Sequence, residues 1–105
     1  MNCRMLALDV DGTLVGPDNV VTPEIRAAVR RADESGIQIR LATGRSYSET
    51  IGIWEQLGLG RPSQPMILIG GALISETDTQ RALYHKPMAP DVACRFADAL
   101  GAAGY

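Results

Sequence analysis

Asp9 and Asp11 stand two residues apart, where the apolar run from Cys3 to Leu8 gives way to Gly12 and Thr13. Two carboxylates this close to the end of a buried strand cost free energy unless a cation or hydrogen-bond donors compensate them. A hard cation answers that need, because Mg2+ prefers one or two carboxylates together with water and a substrate phosphate. With phosphate charge neutralised, one carboxylate can attack phosphorus and form an aspartyl-phosphate. The second can protonate the leaving oxygen and later deprotonate the attacking water. Gly12 permits the backbone to leave the strand sharply. A calcium loop of the EF-hand type fits less well, since that pattern needs its glycine at the sixth position and here it is the fourth.

Two further segments, Thr43-Gly44-Arg45 and Gly70-Gly71-Ala72, also follow apolar runs. In an open α/β sheet, ligands bind outside the carboxyl ends of the strands. Each segment alone reads equally well as a turn. All of them converge on one place if the strands that carry them are neighbours.

The elements that must position these residues can be read from periodicity. The run Cys3 to Leu8 has the pattern of a parallel strand buried on both faces. Thr22 suits an N-cap and Pro23 a first helical position; Ile25, Ala28, Val29 and Ala32 then predict a helix over 23–35. A second strand follows over 37–42, and a helix with Tyr47, Ile51, Trp54 and Leu57 on one face ends near Gly58. Met66 to Ile69 is a third strand; Ala72–Glu76 and Ala82–Lys86 form a hairpin, and Pro90 opens a helix ending at Gly101. The alternation implies a right-handed, parallel, Rossmann-like doubly wound α/β sheet with helices on its faces. Gly12 to Val21 is longer than an ordinary βα loop, as befits a segment covering an active site.

Composition narrows the partners. The chain has 105 residues, 46% apolar and 21% charged, so it holds one domain at most. Its net charge of −2 drives it toward neither nucleic acid nor an anionic membrane, and any anion must be held locally. No run approaches a membrane span and no apolar leader precedes Asp9, which makes the cytoplasm the expected compartment. Cys3 and Cys94 read as buried thiols rather than a disulfide or metal pair.

Asp9-Val10-Asp11-Gly12-Thr13 resembles the first motif of the haloacid-dehalogenase superfamily, and Ala42-Thr43-Gly44-Arg45 resembles its second motif in the Cof-like form. The resemblance implies that Asp9 is the nucleophile and Asp11 the general acid/base. It implies that both bind Mg2+, Asp11 through its backbone carbonyl. Thr43, helped by Gly44 and Arg45, would hold the phosphoryl group, although Arg45 can equally be read as a salt-bridge partner. Gly12, Thr13, Gly70 and Gly71 would shape the turns and flap. Gly70 stands where this branch carries an asparagine. The resemblance divides the chain into the amino-terminal part of the core (1–71, flap at 12–21) and the incomplete start of an α+β cap (72–105).

Two family motifs have no counterpart: a lysine that screens nucleophile and phosphate, and a late acidic pair that completes the Mg2+ site. Lys86, the only lysine, reads as a solvated hairpin residue and His85 as a surface residue; Asp91 and Asp98 suit an exposed helix face. The chain is therefore expected to be the opening portion of a longer enzyme or a truncated relative. The function expected is a Mg2+-dependent phosphatase acting on a small phosphorylated metabolite, with full activity requiring further residues. The alternatives are a phosphomutase of a related branch and a non-catalytic fragment that binds a partner, by self-association or with a complementing C-terminal fragment. A plain nucleotide-binding module is disfavoured, because no Gly-x-Gly-x-x-Gly or P-loop is present.

Overall fold

Thr22 keeps an extended backbone, its hydroxyl accepts the Ile25 N–H at 3.3 Å, and Pro23 takes the first helical position. The first helix thus begins where its cap chemistry places it. The computed structural model describes residues 2–105. In chain order the elements are β1 (Met5–Leu8), α1 (Pro23–Glu34), β2 (Gln38–Leu41), α2 (Tyr47–Leu57) and β3 (Pro65–Leu68). A 3-10 turn (Ile69–Gly71), β4 (Leu73–Glu76), β5 (Ala82–His85) and α3 (Pro90–Ala102) complete the chain.

β1 runs parallel to β2, with Met5 opposite Gln38 and Leu8 opposite Leu41. A parallel bridge between Ala42 and Ile67 ties β2 to β3. β3 then pairs antiparallel with β4, and β4 with β5. The expected hairpin is thus one half of a meander that extends the sheet. Because β1, β2 and β3 step in one direction, right-handed crossovers put α1 and α2 on the same face, where they touch. Helices were expected on both faces; in this chain one face is covered.

The core lies under that face. Ile39 and Leu41 of β2 and Met66 and Leu68 of β3 meet Val29 of α1 and Ile53, Trp54 and Leu57 of α2. Val10, Leu14, Val15 and Val21 close the core from the loop after β1. At its margin the exposed Arg61 donates through Nε to both carboxylate oxygens of buried Asp33, at 3.0 and 3.2 Å.

Three expectations need correction. β1 is not buried on both faces: Met5 is 52% and Leu6 37% exposed, because β1 has one hydrogen-bonded neighbour and no helix over its second face. Cys3 and Cys94 are exposed thiols, the first beside that open strand and the second on α3, which buries no residue. Finally, α3 continues through Gly101 to Ala102, one turn of chain beyond its expected stop being closed by Gly104 at φ 90°. Asp91 pairs with Arg95 at 3.7 Å on this exposed helix, and Asp98 is exposed as well.

The start of α2 matters most for the site. The Glu49 carboxylate accepts the Ser46 backbone N–H at 2.9 Å and the Ser46 hydroxyl at 2.7 Å, and Thr50 donates to the Ser46 carbonyl at 2.7 Å. Gly58, left-handed at φ 61°, ends the helix. The Ser46 backbone N–H, then the Ser46 hydroxyl, hold the Glu49 carboxyl below its ordinary value. A depressed carboxyl contributes stability that is present above the ordinary value near 4.5 and lost as pH falls through the lowered one. Glu49→Gln is therefore expected to lower Tm at pH 7, with the difference from the parent chain shrinking as the melt is repeated at pH 4 and pH 3. A Tm gap that does not depend on pH would remove the carboxylate from this account.

Candidate active site

The ends of β1, β2 and β3 meet as the alternation requires. Ala42 N–H donates to the Leu8 carbonyl at 2.8 Å and Thr43 N–H to the Ile67 carbonyl at 3.0 Å. Past those bonds the strand ends frame a cavity of about 300 Å3 lined by Asp9, Ala42, Thr43, Gly44, Ile67, Gly70 and Gly71. Five of the residues singled out from the sequence thus share one cavity: Asp9, Thr43, Gly44, Gly70 and Gly71.

The turn after β1 is built on Val10, whose carbonyl accepts N–H groups from Thr13, Leu14 and Val15 at 2.9–3.2 Å. Gly12 sits at φ 75° and returns its N–H to the Val15 carbonyl at 2.9 Å. Ordinary residues avoid that left-handed backbone. The Thr13 hydroxyl donates to Asp9 Oδ2 at 3.2 Å, which leaves Oδ1 without a hydrogen-bond partner among the described residues.

Just past the second strand, Thr43 is buried and its hydroxyl oxygen accepts the Arg45 N–H at 3.1 Å. The hydroxyl hydrogen is left for another acceptor. The backbone N–H of Gly44 has no partner among the described residues. Across the cavity, Gly70 N–H donates to the Thr43 carbonyl and Ile69 N–H to the Arg45 carbonyl, each at 3.1 Å. Ile69, Gly70 and Gly71 all have positive φ, of 50°, 60° and 97°. For a β-branched residue such as Ile69 that conformation is strained.

Asp11 does not point where Asp9 does. Its carboxylate forms a two-pronged ion pair with Arg45, through Nη2 and through Nε at 2.9 Å. The same guanidinium donates to Asn19 Oδ1 at 2.7 Å and to the Glu49 carbonyl at 3.4 Å. Of the two roles left open for Arg45, the free chain shows the salt bridge. Its hydrogen bond to Asp11 holds that carboxyl below the usual range, opposed by a smaller effect of burial and aided by the charge of Arg45.

Sequence reasoning missed two residues. Asn19, left-handed at φ 57°, anchors the flap to Arg45, and Gln56 of α2 grips the flap backbone. Gln56 Nε2 donates to the Asn19 carbonyl at 2.9 Å and its Oε1 accepts the Val21 N–H at 2.8 Å. Asn19 had a usable signal, lying in Gly16-Pro17-Asp18-Asn19, because Asn tolerates left-handed turns. A glutamine on a helix carries no such signal.

The free Asp9 Oδ1 and the Asp11 carbonyl, which accepts no hydrogen bond among the described residues, are two hard oxygens of the kind Mg2+ takes. Among the described residues no group of three or more His, Cys, Asp or Glu suits a metal. Lys86 is exposed and does not line the cavity. No helix among the described residues is long and apolar enough to cross a membrane.

Comparison with known proteins agrees with this architecture. Residues 6–104 match the sequence pattern of the haloacid dehalogenase-like hydrolases. The chain belongs to that family. It is 34% identical over 82 residues to phosphatase YwpJ of Bacillus subtilis, covering 78% of this chain and 27% of that protein. It is 32% identical over 88 residues to the pyridoxal phosphate phosphatase YbhA of Escherichia coli, covering 84% and 31%. A haloacid dehalogenase-like hydrolase from B. subtilis superposes with a TM-score of 0.81 at 28% identity, over 97% of this chain and 34% of that one. The chain therefore spans about a third of the length of the relatives it matches.

The Asp11–Arg45 pair can be tested directly. With metal removed by a chelator, the Asp11 carboxyl followed by carbon NMR is expected to titrate below the ordinary value near 3.8. Whatever stability the pair supplies is present above that value and disappears as pH falls through the lowered one. Arg45→Gln should return the midpoint to the ordinary range; an unmoved midpoint would mean Arg45 does not act on Asp11.

Proposed function

We propose that this chain carries the nucleophile half of a Mg2+-dependent phosphatase acting on a small phosphorylated metabolite. The observation that carries the reading is the cavity where Asp9, the Thr43 hydroxyl and the unpaired Gly44 N–H meet at the ends of three adjoining strands. Family membership supports it, as does similarity to a pyridoxal phosphate phosphatase. The cytoplasm is the compartment that fits such a substrate.

In this reading Asp9 Oδ1 attacks phosphorus, a new P–O bond forms to Asp9, and the bond to the leaving oxygen breaks. Asp11 delivers its proton to that oxygen. Asp11 then takes a proton from water, the water oxygen bonds to phosphorus, and the bond to Asp9 breaks to free inorganic phosphate. Thr43 Oγ1 and the Gly44 N–H donate to the phosphoryl oxygens. Mg2+ on Asp9 and the Asp11 carbonyl would neutralise phosphate charge. Gly12, Thr13, Gly70 and Gly71 keep these groups in register.

Arg45 has a shared task. Paired with Asp11 it favours the carboxylate, whereas the acid step needs a proton on that group. An arriving phosphate competes for the same guanidinium and so frees Asp11 to take up its proton.

The test is hydrolysis of an aryl phosphate with Mg2+. Asp9→Asn should abolish turnover, Asp11→Asn should lower kcat by about 100- to 10,000-fold, and a chelator should abolish it reversibly. Activity that survives Asp9→Asn would end the nucleophile assignment.

One observation favours a second reading beside it. Val92, Phe96 and Leu100 form an exposed apolar stripe on α3, and Met5 and Leu6 are exposed on β1. A fragment that binds a partner, either a second copy or a complementing C-terminal segment, would cover both. Sedimentation should then show concentration-dependent association of the isolated chain, and a folded, strictly monomeric species would sink this reading.

A further inference from the structure

A second cavity, of about 290 Å3, wraps the amino-terminal edge of β2 between Gly36 and Gln64. It lies toward the opposite end of the strand from Thr43, with Arg40 about 10 Å from Thr43 along the chain at the usual rise per strand residue. Its lining combines Arg40, Arg61 and Gln64 with the apolar surfaces of Ile37, Trp54 and Leu59. Its volume is near the lower bound of small-molecule sites.

The charge in this cavity is not balanced. Asp33 is committed to Arg61, accepting its Nε on both carboxylate oxygens and its Nη2 on the backbone carbonyl. Arg40 has no carboxylate within ion-pair distance among the described residues. Its acceptors are all neutral: the Ile39 carbonyl and Gln64 Oε1 at 2.9 Å, and Gln38 Oε1 at 3.2 Å. Arg40 Nε and Arg61 Nη1 have no acceptor among the described residues. Burial lowers the pKa of the Arg40 guanidinium, the direction expected of a cation lacking a counter-charge. Gln64 is itself fixed: its Nε2 donates to the Pro62 and Ser63 carbonyls at 3.0 and 3.1 Å, so its oxygen holds Arg40 in place.

We propose that the Arg40–Arg61 cavity is a binding site for the oxyanion of a small metabolite, a phosphate monoester or a carboxylate, separate from the Asp9 cavity. The planar guanidinium of Arg40 supplies the charge and a fork of donors, Arg61 Nη1 adds another, and Ile37 and Leu59 receive the apolar part of the ligand.

Trp54, the only tryptophan in the chain, lines this cavity and reports on it. Inorganic phosphate, glycerol phosphate and acetate would be titrated into the Asp9→Asn chain with a chelator present, which silences turnover and the metal-assisted site. Saturable change in Trp54 fluorescence is expected with at least one of these anions, with a Kd of about 1 mM or tighter. Whether phosphate or acetate binds more tightly identifies the oxyanion class. Arg40→Met should weaken binding at least tenfold and Arg40→Lys should recover part of it, with helicity measured for each variant. Nitrogen NMR of the unmutated chain makes the test independent of variants: the Trp54 indole and Arg40 Nε signals should shift, and the Gly44 and Gly71 amides should not. No saturable signal, equal affinity in folded Arg40→Met, or shifts confined to Gly44 and Gly71 would each overturn the proposal.

Discussion

Two consecutive peptide N–H groups hold the candidate site together. Ala42 donates to one side, to Leu8, and Thr43 to the other, to Ile67. In a parallel strand, alternate residues bond opposite neighbours, so the two residues that follow β2 lock both flanking strands to one level. That level is where β1 releases Asp9 and β3 releases the left-handed turn at Gly70 and Gly71. Once it is fixed, the cavity needs no loop-to-loop packing of its own. The buried side chains beneath it, Val10, Leu41 and Leu68, make a slip of one residue costly, because each would exchange burial for the open face.

Electrostatics then divides the two carboxylates that the sequence places side by side. The strand–turn geometry sends Asp9 toward the cavity with one oxygen steadied by Thr13. Asp11 is turned to Arg45, which is 21% exposed, while the Asp11 side chain is 60% exposed. An ion pair so open to water contributes little to stability. Its value is directional: Arg45 also binds Asn19 and the Glu49 carbonyl, so flap, turn and α2 all converge on one guanidinium. Pairing Asp11 with Arg45 in this way leaves the unpaired negative charge of the site on Asp9. An anion approaching that oxygen is repelled unless a cation or hydrogen-bond donors offset the charge, which is the physical basis of the Mg2+ proposed above.

The parts legible in the sequence were those with short-range causes. Thr22-Pro23 announces a helix start, Gly12 a sharp turn, and an apolar run ending in aspartate a strand that feeds a site; each was found within a residue or two. Asp9, Thr43, Gly44, Gly70 and Gly71 were collected by one rule, that strand ends in α/β sheets bind ligands. What escaped depends on separations that no local pattern encodes. Gln56 holds the flap from 37 residues away, and Arg45 meets Asp11 across 34. The joining of β3 to β4 escaped for a related reason: nothing in Gly70-Gly71-Ala72 says whether the chain departs from the sheet or folds back along it. The burial of β1 and of Cys3 was misjudged because apolar composition reports what a strand can bury, not what covers it.

That misjudgement says something about how the sheet is built. A strand covered on one face needs apolar residues only at alternate positions, and β2 obeys this: Ile39 and Leu41 face the helices while Gln38 and Arg40 face away. β1 does not, since Met5 and Ala7, the partners of Gln38 and Arg40, are apolar too. On β3 and β4 the paired Ile67 and Ile74 continue that second apolar surface, half-buried without a helix above them. The uncovered face thus has an apolar flank on either side of Arg40. The buried side chains beneath the strand ends belong to the helix-covered face, with Val10 and Leu14 closing it from the flap. The framework of the Asp9 cavity is consequently supported by this helix-covered packing.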